Sequence, residues 1–120
     1  MGNAKVGRVE YSVESIVHPS IPHAAPTMPL EGGEAYPAGT VLQMNASNKL
    51  EAGDFTKRSY IALKDIKEDD ADAVVLAFGA AKTESLLKIT TDSQTSKTEF
   101  VSLTTDDAIE LMENTPIVCI

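Results

Sequence analysis

The chain has 120 residues, of which 42% are hydrophobic and 23% are charged. This length suffices for one domain with a single core but hardly for two, and the apolar fraction excludes a chain that is disordered throughout. With 18 acidic against 10 basic residues the formal net charge is −8, which argues against nucleic-acid binding, because that affinity rests largely on Lys and Arg at phosphates.

The cysteine content and the distribution of apolar residues indicate the compartment. Cys119 is the single cysteine, so an internal disulfide is excluded. The sequence shows neither a charged-then-apolar N-terminal signal nor an apolar run long enough to span a bilayer. These features predict a soluble protein made in a reducing cytoplasm, with no membrane partner. Aromatic residues make up only 5%, so we expect a thin core that oligomerisation would help to stabilise.

Residues 9–17 have the alternation of a half-buried strand. Val9, Tyr11 and Val13 alternate with polar residues, and Ile16 and Val17 prolong the pattern. Two interpretations stay open. The segment can fold back on its own domain as an edge strand, or it can add to the sheet edge of another protein by β-augmentation.

A proline-rich stretch follows this strand. Proline lacks a backbone donor and biases the preceding residue toward an extended conformation, so residues 20–30 are predicted to form an extended strap. The first thirty residues contain two basic and two acidic residues, which leaves the whole net negative charge on residues 31–120. We therefore divide the chain into an arm and strap over residues 1–30 and a compact body over residues 31–120. The prolines are Pro19, Pro22, Pro26 and Pro29.

The first half of the body predicts short strands. Residues 40–44 form one strand, residues 45–48 a polar turn and residues 49–52 its return, which makes a hairpin. Tyr60, Ala62, Leu63 and Ile66 mark another strand. Residues 73–78 are continuously apolar, and we expect them in the core.

The second half continues with strands and then changes period. Leu86, Leu87 and Ile89 predict one strand, and Phe100, Val101 and Leu103 predict another after a polar loop over residues 90–98. A helix is predicted over residues 105–113. Its apolar face is Ala108, Ile109, Leu111 and Met112.

The ends of this helix carry recognisable signals. Thr104 and Asp107 resemble a capping box, Asn114 can cap the C-terminus and Pro116 prevents continuation. Residues 116–120 close the chain as an apolar strand in which Cys119 is expected to be a buried small hydrophobe. The fold class predicted from these elements is mixed α/β and mostly β, with a small β-tulip or barrel-like body, one short C-terminal helix and an extended N-terminal arm.

No catalytic or metal-binding pattern stands out. The histidines, His18 and His23, both lie in the arm and strap, where no rigid triad can be assembled from them. The acidic residues 65–72 resemble a calcium loop in spacing, but Lys67 stands where an oxygen ligand is required and Asp70 where Gly makes the sharp turn, so a solvated acidic turn is the better interpretation. Glycine-rich phosphate loops and zinc motifs do not occur. We therefore predict no enzyme activity, no cofactor and no metal.

The body resembles the lambda-type bacteriophage head-decoration proteins, small proteins that clamp the outside of an icosahedral shell. The resemblance covers about residues 27–120 and rests on the order of several segments, namely AYPAGTVLQM at 35–44, NKLEAG at 48–53, SYIALKDIKEDDADAVVLAFGA at 59–80, the pair Leu86-Leu87 and the helix followed by IVCI. It implies a small mixed α/β body that sits on the expanded capsid at local threefold axes, commonly as a trimer, with an N-terminal arm that pairs with strands of the major capsid protein.

On this basis the expected function is structural. The protein would act in the virion, on the outer capsid surface, as a late, capsid-stabilising cement protein made in the host cytoplasm. The residues expected to bind the capsid through the arm are Val9, Tyr11, Val13, Ile16, Val17, His18 and Pro19. The alternative is a small soluble β-rich adaptor that binds a protein or peptide in a cellular complex.

Overall fold

The structure is a computed structural model that describes residues 16–17, 24–91, 94 and 98–120. In these ranges it has nine strands, a 3-10 helix at Thr83–Ser85 and an α-helix, α1, at Thr105–Asn114. The strands are β1 Thr27–Pro29, β2 Val41–Met44, β3 Leu50–Ala52, β4 Ser59–Ala62, β5 Asp72–Leu76, β6 Gly79–Ala81, β7 Leu87–Thr91, β8 Thr98–Ser102 and β9 Ile117–Cys119. The prediction of a mostly β fold with one short C-terminal helix is confirmed.

Five strands form the central sheet in the order β1-β5-β4-β2-β3, with every pair antiparallel. A single parallel bridge between Leu30 and Leu50 links the two ends of this sheet. One bridge does not close the ladder, so the sheet is not a closed barrel. β1, which belongs to the predicted strap, is a strand of this sheet.

The middle strands of the central sheet, β2, β4 and β5, are largely buried on both faces. Successive residues of a strand point to opposite faces, and neighbours such as Val41 and Leu42, or Val75 and Leu76, accordingly belong to two different apolar clusters. One face packs against residues 16–17, β6, β9 and α1. The other is covered by the segment from Leu30 to Tyr36 and by the β7–β8 hairpin. Burial on both faces explains why residues 73–77 are continuously apolar.

The predicted β2–β3 hairpin is confirmed, and its turn is held by one side chain. Asn45 Oδ1 accepts hydrogen bonds from the backbone N–H groups of Ser47, at 2.9 Å, and Lys49, at 3.1 Å. Asn48 lies in the left-handed region, with φ of 62°, which asparagine tolerates better than most residues. Local side-chain chemistry therefore sets this turn.

Two predictions about apolar or capping positions were wrong. Phe78 was expected in the core but is 44% exposed, because β5 ends at Leu76 and the chain then turns outward into a single bridge with Ala24. Asn114 belongs to the helix rather than capping it, and its side chain donates to the carbonyl of Phe55 at 2.9 Å. Thr115 is the C-cap, and its Oγ1 accepts the backbone N–H of buried Ser59 at 2.7 Å.

The capping box predicted at the start of α1 is confirmed. Thr104 Oγ1 accepts the backbone N–H of Asp107 at 3.1 Å, and Asp107 Oδ2 accepts the backbone N–H of Thr104 at 3.0 Å. Asp107 also forms an ion pair with Lys88 Nζ at 2.6 Å, which ties α1 to β7. Burial raises the pKa of Asp107, but the hydrogen bonds from Lys88 and Thr104 and the charge of Lys88 outweigh it, so that pKa lies below its ordinary value.

We expect Asp107→Asn to lower the free energy of unfolding by about 1–2 kcal/mol at pH 7, because it removes the ion pair and weakens the capping box. A lowered folded-state pKa stabilises the protein at pH values above the unfolded-state pKa of about 3.9, and this contribution disappears as the pH falls through the folded-state pKa. Urea unfolding at pH 7, 4 and 3 should therefore show the difference between wild type and variant shrinking with acidity. Asp106→Asn, in the same turn but exposed, is the control, with a cost of about 0.5 kcal/mol. A D107N effect that does not change with pH would contradict this account.

Candidate functional site

The base of the arm is anchored in the body. Ile16 and Val17 are each 2% exposed and belong to the core cluster that includes Leu111 and Ile117. Val17 forms an antiparallel bridge with Ala81, and the backbone N–H of Lys82 donates to the carbonyl of Ile16 at 2.7 Å. At these two residues the chain folds back on its own domain, as the first interpretation of the 9–17 segment expected.

Two of the seven residues expected to bind a capsid therefore serve this chain's own core. In this conformation the side chains of Ile16 and Val17 pack in the cluster that contains Leu111, so these two side chains are not available to another protein's strand. The other five, Val9, Tyr11, Val13, His18 and Pro19, lie outside the described residues.

Several large apolar side chains are exposed on the described surface. Ile109 and Met112 were predicted as part of the apolar face of the helix, but they are 46% and 37% exposed. Only Ala108 and Leu111 of α1 are buried. Ile109 and Met112 are three residues apart and so lie on one side of the helix. Val118 in β9 and Ile120, directly after β9, are each 53% exposed. Exposed apolar side chains at this end of the chain are available for contact with another protein.

A pocket of about 510 Å³ opens between β3, the turn before Tyr36 and the β7–β8 hairpin. We call it the acidic pocket; its walls combine the carboxylates of Glu31, Glu34 and Glu51 with the apolar or aromatic side chains of Tyr36, Ile89 and Phe100. Ile89 and Phe100 face each other across the β7–β8 ladder and pack on the same core cluster as Tyr36.

The charged side chains that line the acidic pocket, among the described residues, are carboxylates. Asn45 Nδ2 donates to Glu31 Oε1 at 2.6 Å and to Glu51 Oε1 at 3.3 Å, so one neutral amide holds two carboxylates near each other. Burial raises the pKa of the Tyr36 phenol, and the charges of Glu34 and Glu51 raise it further. Within the described ranges the walls carry no Lys or Arg.

Sequence reasoning missed this pocket. Its walls come from residues between 31 and 100 that are far apart along the chain. The only local signal was the pair of glutamates around Gly32-Gly33, and such a turn is usually solvated. The pocket exists because the β7–β8 hairpin packs over the face of the central sheet that holds Tyr36.

The acidic stretch at residues 65–72 is a turn held by its own carboxylates. Asp65 Oδ1 accepts the backbone N–H of Ala38 at 2.8 Å, and Asp70 Oδ2 accepts the backbone N–H of Lys67 at 2.9 Å. Glu68 and Asp69 are exposed. Among the described residues no group of three or more His, Cys, Asp or Glu side chains is placed to hold a metal ion.

Cys119 is only half-buried, less than the sequence predicted, because it packs at the edge of the core cluster that buries Ile117. Burial raises the pKa of its thiol despite a hydrogen bond with Thr83, which keeps the group in its weakly nucleophilic protonated form. In the described part of the chain, no helix has the length and apolar character needed to cross a membrane.

Comparison of the sequence with protein-family models finds no match, and comparison with curated proteins finds none that is significantly similar.

Proposed function

We propose that this protein is a structural virion protein that binds the outer surface of an expanded phage capsid and stabilises it against the pressure of packaged DNA. The observation that carries the proposal is the position of the segments that resemble head-decoration proteins. Residues 35–44, 48–53 and 59–80 contain β2, β3, β4 and β5, which are four neighbouring strands of one sheet. These segments, which lie between residues 35 and 80, thus pair side by side in one sheet.

The proposed mechanism uses the anchored base of the arm. Ile16 and Val17 are fixed against β6 and the core, where Val17 bridges Ala81, and residues 1–15 precede them in the sequence. In the proposal these residues pair with strands of the major capsid protein through main-chain hydrogen bonds. A ligand that binds only the mature shell stabilises it by mass action, and many copies that bridge neighbouring capsomers add to the effect.

Contacts between copies are part of the proposal. A homotrimer at the capsid threefold axes would cover exposed apolar side chains such as Ile109, Met112 and Val118, which water would otherwise solvate. In this role the protein needs no catalytic residue, cofactor, nucleic acid or membrane. It acts on the outer capsid surface of the virion after synthesis in the host cytoplasm.

The test is co-sedimentation of the purified protein with expanded and unexpanded capsid shells from its source. We expect saturable binding to the expanded shell only. Deletion of residues 1–15 should weaken this binding at least about tenfold, because the strand-pairing segment is lost, while the body stays folded since Ile16 and Val17 remain. Circular dichroism of the truncated protein checks the fold.

Two negative results of this experiment are possible, and they have different consequences for the proposal. Full binding by the truncated protein would remove the role given to the arm but keep shell binding. Absence of binding to either shell by the whole chain would overturn the proposal. It would favour a second candidate, a small β-rich adaptor that binds a protein or peptide, for which the acidic pocket is the specific observation.

A further inference from the structure

The acidic pocket has the shape and lining to hold a long side chain. Its volume of about 510 Å³ exceeds what one such side chain needs, and Tyr36, Ile89 and Phe100 supply apolar and aromatic wall. An aliphatic stem that enters between these side chains removes their surface from water. Aromatic rings also attract a cation placed against their faces.

The charges in the acidic pocket select a cation. Glu31, Glu34 and Glu51 line it, and within the described ranges none of the three forms an ion pair. The amide of Asn45 satisfies one oxygen each of Glu31 and Glu51, and an ionised carboxylate has acceptor capacity for several donors. A bound cation would reduce the repulsion between these carboxylates.

Arginine fits this combination better than lysine. A guanidinium is planar and presents five donors, so it can bind two carboxylates and stack on an aromatic ring at once, and it is more weakly hydrated than an ammonium group. We propose that the acidic pocket binds an arginine side chain presented by a partner protein. The stem packs against Ile89 and Phe100, and the guanidinium lies between Glu34 and the Asn45-linked pair of glutamates.

This inference goes beyond shell binding and does not depend on it, because the same pocket can be tested on the isolated protein. The probe is the tripeptide acetyl-Gly-Arg-Gly-amide, titrated into the full chain at low salt with amide chemical shifts as the readout. We expect saturable shifts centred on Gly32, Tyr36, Ala52 and Phe100, with a dissociation constant of about 1 mM, typical of one small group. The affinity should fall as salt is added.

Matched peptides and variants give the control. The peptide with citrulline, which keeps the shape of arginine without its charge, should produce no saturable shift, and the lysine peptide should bind more weakly than the arginine peptide. Glu34→Gln should weaken arginine binding about fivefold, whereas Glu113→Gln, the same change on the exposed side of α1, should leave it unaltered. Equal binding of the citrulline or lysine peptide, or equal losses in the two variants, would overturn the proposal. So would the absence of saturable shifts up to about 10 mM peptide.

Discussion

Gly39→Ala is expected to destabilise the protein by more than about 3 kcal/mol, which is a large part of the total stability of a domain of this size. A Cβ at this position would lie 2.1 Å from the backbone carbonyl oxygen of Ser85, and Gly39 has φ of +96°, which L side chains rarely adopt. The clash is with backbone, so no side-chain rotation relieves it.

The surroundings of Gly39 prevent an easy backbone shift. Its N–H donates to the carbonyl of Ala62 at 2.7 Å, and its carbonyl accepts the N–H of Leu87 at 2.9 Å, so the residue is held between β4 and β7. The next residue, Thr40, is fully buried and bridges Leu87. Moving the turn to make room for a methyl group would break these pairings.

Gly32→Ala is the matched control, measured by the same urea unfolding at 25 °C. Gly32 also has a positive φ, of +88°, but nothing lies within 4 Å of the Cβ position. It therefore carries the backbone cost alone, about 1–2 kcal/mol. Equal losses for the two variants would show that the close approach of Gly39 to Ser85 does not matter.

Ile16→Ala is expected to lower the free energy of unfolding by about 2–4 kcal/mol, because it removes most of a buried side chain and leaves a cavity in the core. Ile16 is 2% exposed and lies in the cluster with Leu86, Leu111 and Ile117. Thermal and urea unfolding of the full-length variant measure the effect. A loss of this size would place the base of the arm among the residues that stabilise the body.

Ile109→Ala is the control for this substitution. The residue type and the change are the same, but Ile109 is 46% exposed on α1 and alanine has the higher helix propensity, so the effect should stay within about 0.5 kcal/mol. If Ile16→Ala were as mild as Ile109→Ala, the anchoring of residues 16–17 would be contradicted. The body would then be expected to tolerate removal of the whole arm, including these two residues.

Local patterns predicted the secondary structure well where a few neighbouring residues decide it. The β2–β3 hairpin follows from Asn45 and its turn, and α1 begins where Thr104 and Asp107 satisfy each other's backbone groups. The mostly β character follows from short apolar runs separated by turn residues.

Periodicity was less informative about which side chains are exposed. Phe78 ends an apolar run and Ile109 and Met112 belong to an apolar helix face, yet all three are exposed. Positions 108, 109, 111 and 112 of the helix are all apolar. The contact of α1 with β9 and the sheet is narrow, so it buries only Ala108 and Leu111. The period of the sequence alone does not say which of these four residues the fold buries.

The sequence by itself determined most of the strands, the β2–β3 turn, the helix with its N-terminal capping box and the negative charge of the body, because each depends on residues within a few positions of one another. It did not predict β6, and it assigned β1 only to an extended strap. Only the tertiary structure decided that Ile16 and Val17 close the core against β6 and α1, that Gly39 touches Ser85 and that Glu31, Glu34 and Glu51 share one pocket with Phe100. These contacts join residues distant along the chain, and their geometry arises when the β7–β8 hairpin and the arm base pack on opposite faces of one sheet.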